Sequence, residues 1–110
     1  MIVEIFLEFF LDAKSISGKE KTLKKIKKNI IDTYGASAVS QLNEARFSVS
    51  VEAKEWMPLV FRIIKYSQTI GRQWVLTGNI EYECSLWTNH SKLVGVDSIS
   101  VTADYTGKIE

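Results

Sequence analysis

The chain has 110 residues, 45% of them hydrophobic and 25% charged, with a formal net charge of +1 and a single cysteine. That size and balance fit one globular domain with one core and exclude intrinsic disorder. Cys84 alone excludes an internal disulfide framework and any multi-cysteine zinc or iron–sulfur site.

At the start, Val3, Ile5, Leu7, Phe9 and Leu11 alternate with Glu4, Phe6, Glu8, Phe10 and Asp12. A period of two with one wholly apolar face and one mixed face predicts a half-buried strand. Phe6 and Phe10 on the mixed face suggest that it is covered in part, by a partner or by side chains of a neighbouring strand. Glu4 and Glu8 interrupt the apolar run and no basic residue precedes it, so it does not read as a secretory signal. No stretch approaches the ~18 uncharged apolar residues of a membrane span. A cytoplasmic, reduced protein is expected.

A helix follows. Ser17 and Glu20 have capping-box spacing. Leu23, Ile26, Ile30, Ile31 and Tyr34 recur at helical intervals, with Lys21, Lys24, Lys25 and Lys28 on the opposite arc. Gly35 is placed to close the helix. Phe47, Val49, Val51 and Ala53 alternate with Arg46, Ser48, Ser50 and Glu52 as a second half-buried strand, and Ala38 to Leu42 is open between a short pairing strand and a loop. Pro58 suits a first helical turn. Trp56, Leu59, Val60, Ile63, Ile64 and Ile70 share one face of a second helix, which Gly71 ends.

From Trp74 the period returns to two. Leu76, Gly78, Ile80, Tyr82, Cys84 and Leu86 take one face of a long strand, and Thr77, Asn79, Glu81, Glu83, Ser85 and Trp87 the other. Thr88 to Lys92 is turn-like, and Leu93 to Ala103 reads as the returning strand of a hairpin. The fold class is α+β: a two-layer sandwich with two helices on one face of a four- or five-stranded, mostly antiparallel sheet. A ferredoxin-like arrangement with a C-terminal hairpin is the expected topology, over residues 1–110 as a single domain.

The net charge conceals two electrostatic regions. From Lys14 to Ala36, seven lysines oppose Glu20 and Asp32, a local charge of +5. The first strand carries Glu4, Glu8 and Asp12, and Val75 to Glu110 carries five acids against Lys92 and Lys108, so each of these segments sums to −3. Clustered charge of one sign selects partners by long-range attraction.

The chemistry-bearing residues are few. Cys84 and His90 would need to approach within ~3 Å to form an activated thiol, but parity puts Cys84 on the apolar face, as a small buried hydrophobe. A lone histidine cannot complete a metal site. Glu81 and Glu83 would sit about 7 Å apart on one strand face, a spacing that paired catalytic carboxylates use and that solvated strand faces show far more often. As a binding feature they are better placed, beside Trp87 and near Asn89 and His90. Lys21, Lys24, Lys25 and Lys28 offer a phosphate-binding surface, with a solvated helix back as the plain alternative. The chain has only three arginines and no aromatic RNA-recognition signature. No nucleotide motif, cofactor site or enzyme signature is present.

The stretch Trp74-Val-Leu-Thr-Gly78, a polar strand and turn, and then Leu93-Val-Gly-Val96 with Ile99 and Val101 resembles the C-terminal half of small immunity proteins of bacterial toxin–immunity systems, including contact-dependent growth inhibition. In that group a W-x-L-x-G strand precedes a hairpin whose returning strand carries a G-[VI] step. The resemblance covers about a quarter of the chain. It implies a small, cytoplasmic, non-catalytic, cofactor-free protein that binds a cognate toxin C-terminal domain, often a nuclease, and blocks its active site or substrate access. Glu81, Glu83, Trp87, Asn89, His90, Asp97 and Asp104 are the residues expected to meet that partner. The near-neutral chain departs from the acidic character of many nuclease inhibitors, so the lysine helix would have to point away from the toxin. A nucleic-acid-binding accessory domain using the lysine helix is the alternative, and pairing of edge strands across a homodimer is left open.

Overall fold

Strict alternation makes the first strand two-sided. In the computed structural model, which describes residues 1–12 and 14–105, Val3, Ile5, Leu7 and Phe9 of β1 (Ile2–Leu11) are all buried. Helix α1 (Ile16–Tyr34) follows. Its N-cap is Ser15, whose hydroxyl accepts from the Gly18 N–H at 3.0 Å. The expected Ser17–Glu20 capping box is therefore corrected. Ser15 holds the extended backbone a cap requires, while Ser17 already lies inside the first turn. Gly35 closes the helix at φ 90, with its N–H on the Ile31 carbonyl.

A short 3₁₀ turn (Ala36–Ala38) leads into β2 (Val39–Asn43), which pairs with β3 (Arg46–Glu52), so the segment left open in the sequence is a strand. The Asn43 side chain accepts from the Ala45 N–H and tightens the turn between them. Helix α2 (Trp56–Ile70) has Pro58 in its first turn and buries Trp56, Leu59, Val60, Ile63, Tyr66 and Ile70, with Gly71 as its C-cap. The chain then breaks into short pieces: β4 (Gly71–Arg72), β5 (Val75–Thr77), β6 (Glu83–Thr88), β7 (His90–Ser91) and finally the long β8 (Val96–Asp104).

The fold is α+β, with two helices and a main sheet of six antiparallel strands in the order β2-β3-β1-β8-β6-β5, plus a two-stranded β4–β7 ladder. This corrects the expected ferredoxin-like sheet of four or five strands. The run from Trp74 to Trp87 is two strands rather than one, because Gly78 to Tyr82 turn the chain back. Gly78 adopts φ 81, and a Cβ there would collide with the Glu83 carboxylate. Two backbone N–H groups close the turn: those of Tyr82 and Glu83 both donate to the Asn79 carbonyl. The returning strand begins at Val96 rather than Leu93. Gly95, at φ 86, packs so closely on Thr22 of α1 that a side chain would not fit.

Buried residues of β1, β3, β6 and β8 and the inner faces of both helices form one core, from Phe47 and Ile5 to Ile63 and Val101. Its inter-helix seam is aromatic: Tyr34 and Tyr66 meet edge to face at 5.2 Å, and the Tyr66 hydroxyl donates to Asn29 Oδ1 at 2.7 Å. The molecule is 19 Å deep in its shortest dimension. One sheet and one helix layer, about 10 Å apart, fill that depth, so among the described residues no helix or second sheet covers the other face of the sheet. No helix among the described residues is long and apolar enough to cross a membrane.

Candidate functional site

Strand register places the side chains of the open face in rows. One row crosses five strands as Val75, Trp87, Ser100, Glu8 and Arg46. The next crosses all six as Thr77, Ser85, Thr102, Phe6, Ser48 and Ser40. In a third, Glu83 faces Asp104, and Glu4 stands on β1 one residue before the Ile5–Ala103 pair. The middle row is almost entirely hydroxyl-bearing and small. The face is therefore low in relief, with Trp87 and Val75 standing out at one side and Phe10 at one end; each is about half exposed. Phe6 is covered by the Arg46 guanidinium, 5.4 Å from the ring centroid.

Electrostatically this face is acidic. Glu4, Glu8, Glu83 and Asp104 lie on it against one cation, Arg46, and among the described residues none of those four carboxylates forms an ion pair. Like charges directly opposite, as Glu83 and Asp104 are, disfavour strand pairing, so the fold gains nothing from their arrangement. Glu83 Oε1 takes only a long bond from the Asn79 N–H, 3.3 Å.

The lysines are on the other side of the molecule. Thr22, Ile26 and Ile30 of α1 face the core, which leaves Lys21, Lys24, Lys25 and Lys28 exposed on the outer arc. Lys28 is bound to Asp32 at 2.7 Å, and this hydrogen bond and charge hold its ammonium above the usual lysine range. Lys19 is paired with Glu44 at the sheet edge.

Of the residues expected to meet a partner, the fold brings Glu83, Trp87 and Asp104 onto the open face. The others separate. Glu81 belongs to the turn, its N–H held by Asn79 Oδ1, so the expected strand-face pair with Glu83 does not form. Asp97 is the extra residue where the β1–β8 register shifts, seven residues from Asp104 and roughly 23 Å away along the strand. Asn89 lies in a bend, and His90 belongs to β7, opposite Arg72. Glu4, Glu8 and Phe10 were missing from the expected set. Their parity with Phe6 on β1 is the signal that assigns them to this face.

Cys84 and His90 are not a dyad. The thiol faces the core, 1% exposed, and burial pushes its pKa up to about 11. Cys84 to Thr88 already spans roughly 13 Å of extended strand, and His90 is exposed beyond it. Among the described residues no group of three histidine, cysteine or carboxylate side chains is arranged to hold a metal ion.

Comparison with protein-family profiles, with curated proteins and with solved structures finds no match for this chain.

Proposed function

We propose that the chain is a non-catalytic, cytoplasmic immunity protein of a contact-dependent growth inhibition system, which neutralises its cognate toxin by docking the open sheet face on the toxin's C-terminal domain. One observation carries the reading: carboxylates and exposed aromatics occupy the uncovered sheet face, while the lysines of α1 without ion pairs among the described residues lie in the opposite, helical layer. A near-neutral chain thereby presents a predominantly acidic surface, which fits the resemblance to such proteins. Six strands at ~4.8 Å spacing, averaging about 22 Å in length, give a face on the order of 600 Å², near one partner's share of a standard interface. Trp87, about half exposed on this face, supplies the kind of aromatic anchor that dominates binding energy. Glu4, Glu83 and Asp104 supply acceptors for arginine and lysine on a phosphate-binding toxin surface. Low relief suits occlusion of an active site or of the substrate's route to it.

The test is co-purification with the product of the reading frame immediately upstream. A stoichiometric complex with that product's C-terminal domain, together with rescue from its toxicity, is expected. Absence of both sinks the reading.

The second reading, nucleic-acid binding, rests on Lys21, Lys24 and Lys25, which are exposed and without ion pairs among the described residues. It requires salt-sensitive binding to generic DNA or RNA, with a slope that shrinks as these lysines are removed.

A further inference from the structure

On the helix side of the sheet, away from the open face, a pocket of about 540 Å³ opens between the C-terminal half of α2 and β5. That volume is typical of small-molecule sites. Its walls are apolar where Ile64, Trp74, Leu76 and Leu86 meet, and Arg72 and Lys92 are its only charged lining groups among the described residues. We propose that this pocket binds a small organic monocarboxylate, with its apolar body against Trp74, Leu76 and Leu86 and its carboxylate on Arg72.

Three features of the site support this. The wall is preformed: the Trp74 indole N–H donates to the Ser67 carbonyl at 3.0 Å, and the ring lies so close over Gly71 that a Cβ there would press on it. The charge is uncompensated: the Arg72 side chain has no ion pair or hydrogen bond among the described residues, and no carboxylate lines the pocket. Lys92 is already engaged, with its Nζ on the Gln68 carbonyl at 2.8 Å and its N–H on the Ile70 carbonyl at 2.9 Å. There it answers the negative end of the α2 dipole. Arg72 is thus the lining cation left without a protein partner among the described residues, and its guanidinium matches a carboxylate in two-point geometry. Finally, the backbone is held in an uncommon state here. Gln73, on the rim, is the one non-glycine residue with positive φ (52) among those described. Non-glycine residues seldom adopt that conformation, and such states gather at ligand clamps. The turn at Gln73 lets Arg72 pair with His90 on β7 while Trp74 folds back under α2.

The chain's tryptophans make the test internally controlled. Trp74 lines the pocket, Trp87 is on the open face, and Trp56 is stacked on Tyr105 at 5.4 Å. Titrating 2-naphthoate into the ¹⁵N-labelled protein is expected to shift the Trp74 indole N–H resonance saturably and leave that of Trp87 in place. The isosteric cation 2-naphthylmethylammonium is expected not to bind. Arg72→Gln is expected to weaken 2-naphthoate roughly tenfold or more, with the Trp56 signal reporting an intact fold. Equal binding of the cation, shifts centred on Trp87, no shift at all, or unchanged affinity in a folded Arg72→Gln variant would each overturn the proposal. Should that variant unfold, the anion–cation comparison on the unaltered protein decides alone.

Discussion

The two faces of the main sheet are made by the same strands and obey opposite rules. On the helix side Val3, Ile5, Leu7, Phe47, Val49 and Val101 are packed out of water, and shape and volume decide what is tolerated. On the open side Ser50, Ser85, Ser100 and Thr102 stand among carboxylates without ion pairs among the described residues, and little there contributes to holding the strands together. Under the proposed function, alternation lets one chain separate stability from recognition residue by residue. A substitution at position n should therefore register in unfolding, and one at n+1 in binding.

The largest effect is expected from the dry side. Phe47 is fully buried and meets Phe9 edge to face at 6.1 Å. Phe47→Ala should lower stability by about 3–5 kcal/mol, through lost transfer energy and the cavity left behind, as read by urea denaturation. Ser50→Ala, exposed on the other side of the same strand, should change stability by less than about 1 kcal/mol. A similar loss at both positions would erase the distinction between the faces.

Glu83→Lys reverses the contrast. It places a cation opposite Asp104 and relieves a like-charge pair, so the fold should become more stable by a few tenths of a kcal/mol up to about 1 kcal/mol. Under the proposed function, the same change should weaken toxin binding by about 2–5 kcal/mol, since it sets like charges against each other in a desolvated interface. Calorimetry of binding beside thermal unfolding of the free protein reads both signs. A folded variant with undiminished affinity would remove the open face from the interface.

Much of this division was legible before any coordinates. The parity of β1, the two amphipathic helices and the dry face of β3 follow from periodicity alone, because each is a long element whose burial pattern has one solution. Legibility failed where long alternation concealed a reversal. Between Trp74 and Trp87 the hydrophobic beat continues through the turn, and only Gly78-Asn79 marks it, so Glu81 was assigned to a strand it does not join. The cap at Ser15 lost to Ser17 because the capping-box spacing fits a residue already inside the helix. The pocket around Arg72 was not legible at all. Its walls come from α2, β5 and β6, whose proximity depends on strand order rather than on any local pattern.

Alkaline pH sharpens the comparison from the dry side. Burial raises the Tyr34 hydroxyl to about 12, the Tyr66 hydroxyl further, and the Cys84 thiol to about 11. The unfolded chain releases these protons first, near pH 8.5 for the thiol and near 10 for the tyrosines. Above about pH 8.5 it therefore binds fewer protons than the native state, and native stability falls as pH rises. The stabilisation is fully present below about pH 8.5 and is lost on the way to pH 12. Each group gives a slope of at most about 1.4 kcal/mol per pH unit. Tyrosinate absorbance for Tyr34 and Tyr66 should rise with unfolding rather than before it. Open-face carboxylates predict no such alkaline loss, so ionisation of these two tyrosines in the folded protein would show the inter-helix seam to be wet.

The smallest effect is expected at the outer arc of α1, the one strongly charged surface that neither side of the sheet explains. Replacing Lys21, Lys24 and Lys25 together with glutamine retains good helix formers at exposed positions and removes no ion pair among the described residues. Stability should stay within about 0.5 kcal/mol. Under the proposed function, toxin affinity should also hold, because these ammonium groups sit a full helix layer behind the open face. A modest change in association rate at low salt is compatible with that geometry, since their field opposes approach of a basic partner and its removal should speed encounter. The sign of that change separates the two functional readings: faster binding to a basic protein fits the acidic-face interface, whereas loss of salt-dependent affinity for nucleic acid would transfer the function to the helix.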